Sequence, residues 1–188
     1  MSDATHSGVW ILAEQRAGAI RPVSFELLAR ARKLADQRGT TLSAVLFIDG
    51  ADQDTFDALI HRGADHIYVV DHPIFAQFLS EPYRASLTHL VQAYRPEIII
   101  AAATTTGRTV MPLVATNSMF AGLTADCTEL AIAPEDGGLL QTRPAIGGNI
   151  LATIRTPEAR PQMATVRPKS TRPAEPDSTR SGTVTQVT

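Results

Sequence analysis

The sequence predicts an α/β domain: a mostly parallel, doubly wound sheet with helices on both faces, extended by an antiparallel hairpin. Three observations predict it. Compact apolar runs alternate with helical patterns as β, α, β, the order that right-handed parallel crossovers require. Those runs are continuously apolar, as in strands buried on both faces. After Ala121 the pattern changes, and two short extended runs flank Gly147-Gly148-Asn149.

Val9 to Ala13 reads as a central strand with Glu14 at its exit. Ser24 is placed to cap a helix whose Leu27, Leu28, Ala31, Leu34 and Ala35 share one face, with Gly39 as its stop. Leu42 to Ile48 is the next strand. Asp52 or Asp54 caps a shorter helix bearing Phe56, Leu59 and Ile60, and Gly63 stops it before the strand Ile67 to Val70. From Tyr83, Leu87, Leu90, Val91 and Tyr94 recur at helical spacing; Pro82 suits the first turn and Pro96 ends the run. The run beginning at Ile98 is a buried strand, Thr104 to Arg108 its exit loop, and a helix with Val110, Leu113 and Val114 inward continues to about Met119, with Pro112 in its first turns. Leu139 to Ile146 and Ile150 to Ile154 form the hairpin. Residues 168–182, with three prolines and no large apolar side chain, read as a linker, and the final Thr183-Val-Thr-Gln-Val-Thr regains strand propensity.

At 188 residues and 44% apolar content the chain suits one globular domain plus a tail. A net charge of −2 with no clustered basic helix face excludes a nucleic-acid footprint. Charge is uneven: residues 1–141 hold 10 basic and 16 acidic residues, whereas residues 142–188 hold 7 and 3. The carboxy-terminal quarter is expected to favour an acidic partner. One cysteine excludes an intramolecular disulfide and fits a reducing compartment, no secretory signal opens the chain, and no apolar run is long enough to span a membrane. A cytoplasmic protein is expected.

Three dense blocks carry the most particular signal: Gly122-Leu-Thr-Ala-Asp-Cys-Thr-Glu-Leu, Thr142-Arg-Pro-Ala-Ile-Gly-Gly-Asn-Ile-Leu-Ala-Thr-Ile and Arg160-Pro-Gln-Met-Ala-Thr-Val-Arg-Pro. With Gly8-Val-Trp-Ile-Leu-Ala-Glu, Gly63-Ala-Asp, Pro96-Glu-Ile-Ile-Ile and Thr106-Gly-Arg, in that order, they resemble the amino-terminal half of the electron transfer flavoprotein alpha subunit from about Gly8 to Thr188. The resemblance implies an adenine-nucleotide-hydrolase-like fold over residues 1–167, then a linker at 168–188 leading into a flavin-binding domain that this sequence lacks. It also implies a scaffold for the beta subunit and the FAD domain, an electron carrier without catalytic residues of its own. Electrons would come from acyl-CoA or other dehydrogenases. FAD would sit on a carboxy-terminal domain or separate polypeptide, and AMP on the beta subunit. One stretch departs from the family: Leu113, Asn117, Met119 and Phe120 stand where arginine is commoner, which puts an anion contact from that helix in doubt.

The candidate binding residues are Thr106, Gly107 and Arg108 at a strand-to-helix loop, where open α/β sheets bind ligands, and Asp126 with Arg143. Arg143 precedes a proline that holds it extended, and Asp126 is the candidate carboxylate for it, as a structural pair or subunit contact. The alternative is a nucleotide-binding module for AMP or ATP, against which stands the absence of G-x-G-x-x-G or Gly-Lys-Ser/Thr spacing. The five histidines show no metal spacing and read as solvated. Cys127 reads as a small buried hydrophobe, and Met111 and Met119 as core.

Overall fold

The apolar runs Val9 to Ala13, Leu42 to Ile48 and Ile98 to Ala102 are buried in the computed structural model, which describes residues 5–117, 121–145, 148 and 150–188. The elements are β1 (Val9–Ala13), β2 (Gln15–Arg16), β3 (Ala19–Ile20), α1 (Pro22–Arg38), β4 (Leu42–Ile48), α2 (Gln53–Ile60), β5 (His66–Asp71), α3 (Ser80–Tyr94), β6 (Ile98–Ala102) and α4 (Thr105–Asn117). There follow β7 (Gly122–Cys127), β8 (Glu129–Ile132), β9 (Leu139–Ala145), β10 (Ile150–Ile154), β11 (Gln162–Val166) and β12 (Thr183–Gln186). Seven strands form one sheet in the order β12-β5-β4-β1-β6-β11-β7, parallel at every pairing. Three antiparallel strands, β10-β9-β8, form a second sheet.

Alternation along the strands divides the core in two. Val9, Ile11 and Ala13 pack with Leu27, Leu28 and Leu34 of α1 and Leu59 of α2, whereas Trp10 and Leu12 pack with Leu87 and Leu90 of α3 and Val110 and Val114 of α4. Both faces of β1 and β4 are thus covered, so neither strand needs a polar residue on one side.

Local signals set most boundaries, with instructive exceptions. Asp52 caps α2 by accepting from the Thr55 amide at 2.8 Å, and Gly39 ends α1 in the left-handed region (φ 60). Ser24 does not cap α1: the helix starts at Pro22, whose ring presets the first turn, and Ser24 is buried with its hydroxyl accepting from the Glu14 amide at 2.8 Å. The Thr104 to Arg108 loop is instead mostly helix, since α4 begins at Thr105, and Pro112 falls in mid-helix. Met119 and Phe120, and most of the hairpin turn with Ile146, Gly147 and Asn149, lie outside the described residues.

Two strands escape a simple pattern reading. The stretch from Gln162 to Val166, taken above as part of a flanking block, is the fully buried β11, between β6 and β7. Its polar residues have assigned duties: Gln162 Oε1 accepts from the Leu139 amide at 2.8 Å, its Nε2 donates to the Thr156 carbonyl at 2.8 Å, and Thr165 Oγ1 accepts from the Asp126 amide at 2.9 Å. The expected terminal strand also forms, but it joins the domain's own sheet, β12 lying parallel to β5 and prolonged by a bond from the Val187 amide to the Val69 carbonyl at 2.8 Å. The proline-rich approach to it is tied down by the Ala174 amide to Phe25, the Asp177 amide to His61, and an Arg180–Asp65 ion pair of 3.2 Å.

Candidate functional site

Strand order reverses at β1, so the crevice between the carboxyl ends of β1 and β6 is where this class of sheet accepts a ligand. Here the chain fills it with its own carboxylate. Glu14, 3% exposed, pairs through Oε2 with Arg21 Nη1 at 2.6 Å and through Oε1 with the Thr104 hydroxyl. Burial pushes the Glu14 carboxyl above its usual range, against the opposing pull of Thr104 and Arg21. Gly107, near the start of α4, is buried. A Cβ there would lie 1.9 Å from the Ala102 carbonyl oxygen, so this glycine is explained by the close approach of α4 to β6 and not by a ligand. Glu14 thus places an acidic side chain, already held by Arg21 and Thr104, where a ligand phosphate would approach, which disfavours an anionic group at this point of the crevice.

A second polar centre is built on a bulge. Register between β7 and β11 shifts around Thr165, and Asp126 takes a left-handed backbone (φ 61) held by the Thr165 hydroxyl. Its carboxylate then faces two arginines. Arg167 Nη2 donates at 2.8 Å and its Nε at 3.3 Å, and Arg108 Nη2 stands 3.5 Å away while Arg108 Nε donates to the Ala103 carbonyl at 2.9 Å. The hydrogen bond from Arg167 holds the Asp126 carboxyl below the usual range, with Arg108 and Arg143 adding to it by charge alone. The structure thus brings Arg108 and Asp126 together. It replaces the expected Arg143–Asp126 pair with Arg167–Asp126, and Arg143 acts on Asp126 from beyond ion-pair distance. Three guanidinium groups around one carboxylate leave an excess of positive charge, and Arg108 and Arg167 are exposed. Thr106 sits half-buried in the first turn of α4 beside them.

The remaining candidates resolve by burial. Cys127 is fully buried and its thiol is pushed up to about 11 by that burial, which removes the thiolate that reactivity needs. Met111 is core. His66 differs from a solvated residue: β12 covers it, its Nδ1 bonds the Thr183 hydroxyl, and its ring packs on Tyr68. Among the described residues no group of three or more His, Cys, Asp or Glu is placed to hold a metal ion, and no helix is long and apolar enough to cross a membrane.

The β9–β10 ribbon completes the picture. Four of the five β10 residues are exposed, including Ile150 at 57% and Leu151 at 64%, so this strand stands off the core with apolar side chains in water. Sequence reading missed the roles of Glu14, Thr104 and Thr165. For Glu14 a signal existed, a carboxylate directly after a fully apolar strand; the Thr165 contact joins positions 39 residues apart and leaves no local trace.

The electron transfer flavoprotein domain family matches residues 9–188. Electron transfer flavoprotein subunit alpha of Thermoanaerobacterium thermosaccharolyticum is 47% identical over 179 residues, 95% of this chain and 53% of that protein. Protein FixB of Rhizobium meliloti is 46% identical over 166 residues, 87% of this chain and 46% of that protein. The alpha subunit of Clostridium acetobutylicum is 44% identical over 168 residues, 89% of this chain and 49% of that protein. The chain spans about half the length of the curated relatives it matches.

Proposed function

Since the chain belongs to the electron transfer flavoprotein family, with alpha subunits and FixB proteins as its relatives, we propose that it is the platform of an electron-carrying heterodimer. It docks a beta-type subunit and supports the movement of a flavin-bearing domain. The flavin supplies the redox chemistry when bound elsewhere in the complex; this chain supplies shape and charge. Residues 1–167 form the body of the platform, and residues 168–188, whose strand β12 closes the edge of its sheet, the passage toward the flavin-binding portion. Electrons arrive from a dehydrogenase, acyl-CoA-dependent or other, and AMP resides on the beta subunit.

The observation that carries this reading is the β9–β10 ribbon, whose exposed Ile150 and Leu151 have the character of an interface core and not of a monomer's surface. Thr106, Arg108, Asp126, Arg143 and Arg167 form the second contact, a restrained cationic face suited to an acidic surface of the flavin-bearing part. Titration calorimetry of the chain with a beta-type subunit tests the first contact. Leu151→Asp is expected to weaken association by about tenfold or more, the size of effect a central apolar anchor gives. Unchanged affinity would remove the ribbon from the interface.

A further inference from the structure

A wide cleft separate from the Glu14 crevice has a different construction. It lies between α1 and the small sheet, has a volume of about 710 Å³, and is walled at one end by Ser170, Thr171 and Arg172. Its long side is β8, the outer strand of the β10-β9-β8 sheet, which has no strand neighbour on that side among the described residues. An outer strand presents backbone amides and carbonyls that a further extended chain can pair. Just before the strand, the Thr128 carbonyl already accepts from a donor in the groove, Arg30 Nη2 reaching across from α1 at 3.1 Å. The same guanidinium bonds the Ser170 carbonyl at 3.2 Å and the Thr171 hydroxyl, fixing the end wall, while its Nε is buried without a partner.

Charge identifies the occupant. Arg30, Lys33 and Arg172 line the groove against the single carboxylate of Glu129, and Leu34 and Leu130 contribute apolar surface. We propose that this groove binds an extended acidic segment of a partner protein, which adds to β8 as a fourth strand and lays its carboxylates on Lys33 and Arg172. Four residues of strand run about 13 Å, the length that β8 offers. Backbone pairing supplies the fixed register, and alternate side chains meet the cations. The groove shares no lining residue with β10 or with the Asp126–Arg167 pair, so its occupancy is tested separately from the beta-subunit reading.

The test is fluorescence anisotropy of the full chain with labelled octapeptides alternating Glu with Val, Thr or Leu. Saturable binding is expected for at least one, lost by about tenfold or more in the Lys33→Glu/Arg172→Glu double variant, whose two positions are exposed. A peptide of the same sequence N-methylated at alternate residues keeps its charge but cannot pair along one edge, and is expected to bind about tenfold more weakly. Equal binding of the N-methylated peptide overturns strand addition, as does a lack of binding by every acidic peptide. Inorganic pyrophosphate binding where peptides do not would make the cleft a small-oxyanion site and likewise overturn the proposal. Melting curves of the double variant, expected to match the parent, separate loss of binding from loss of fold.

Discussion

Asp126 and Glu14 respond to pH in opposite senses, because one carboxylate is held by donors and the other is chiefly desolvated. Asp126 has a lowered folded pKa, so its stabilisation is present above the unfolded value of about 3.9 and is lost as pH falls through the folded value. Asp126→Asn, which tolerates the left-handed backbone, is therefore expected to flatten the acid limb of the stability curve below about pH 4. Glu14 has a raised folded pKa, so its favourable contribution is complete below the unfolded value of about 4.3 and is lost as pH rises through the folded value. Glu14→Gln should remove that loss, and urea midpoints measured from pH 3 to 7 read both effects. If both variants give curves parallel to the parent, the electrostatic assignments are wrong. At Gly107 the prediction is steric: Gly107→Ala forces a methyl against the Ala102 carbonyl and is expected to cost about 1 to 3 kcal/mol or more in denaturant unfolding, as overpacking does.

Among the elements, β10 and β12 separate interface from core. Ile150→Ser with Leu151→Ser removes side chains that touch water, so stability should stay within about 0.5 kcal/mol of the parent while association falls. Deleting residues 181–188 should do the reverse. It uncovers β5 along its whole paired length, frees the Tyr68 and His66 rings and lowers the melting temperature. An unchanged melting temperature would mean that β12 contributes nothing to the sheet. The buried strands β1, β4 and β6 were legible because their residues are almost all apolar, Ser43 of β4 excepted, and α2 because Asp52 stands at its start. The burial of β11 was not legible: Gln162 opens it and Thr165 interrupts it, and the Leu139 and Asp126 amides that engage them are distant in sequence. The same holds for the site. Arg108 and Asp126 could be nominated from their local settings, but the choice of Arg167 over Arg143 depends on the bulge that turns Asp126 toward β11.

At the scale of the molecule, the fold sets three surfaces apart: a crevice lined by the paired Glu14, a cationic centre on Asp126, and an apolar ribbon standing off the core. The most direct measurement is sedimentation velocity of the purified chain with an electron transfer flavoprotein beta subunit, followed at the protein and flavin absorbance bands. The account predicts a one-to-one complex that Leu151→Asp disperses, and no flavin sedimenting with the chain alone. A chain that carries stoichiometric flavin by itself and ignores the beta subunit would contradict it.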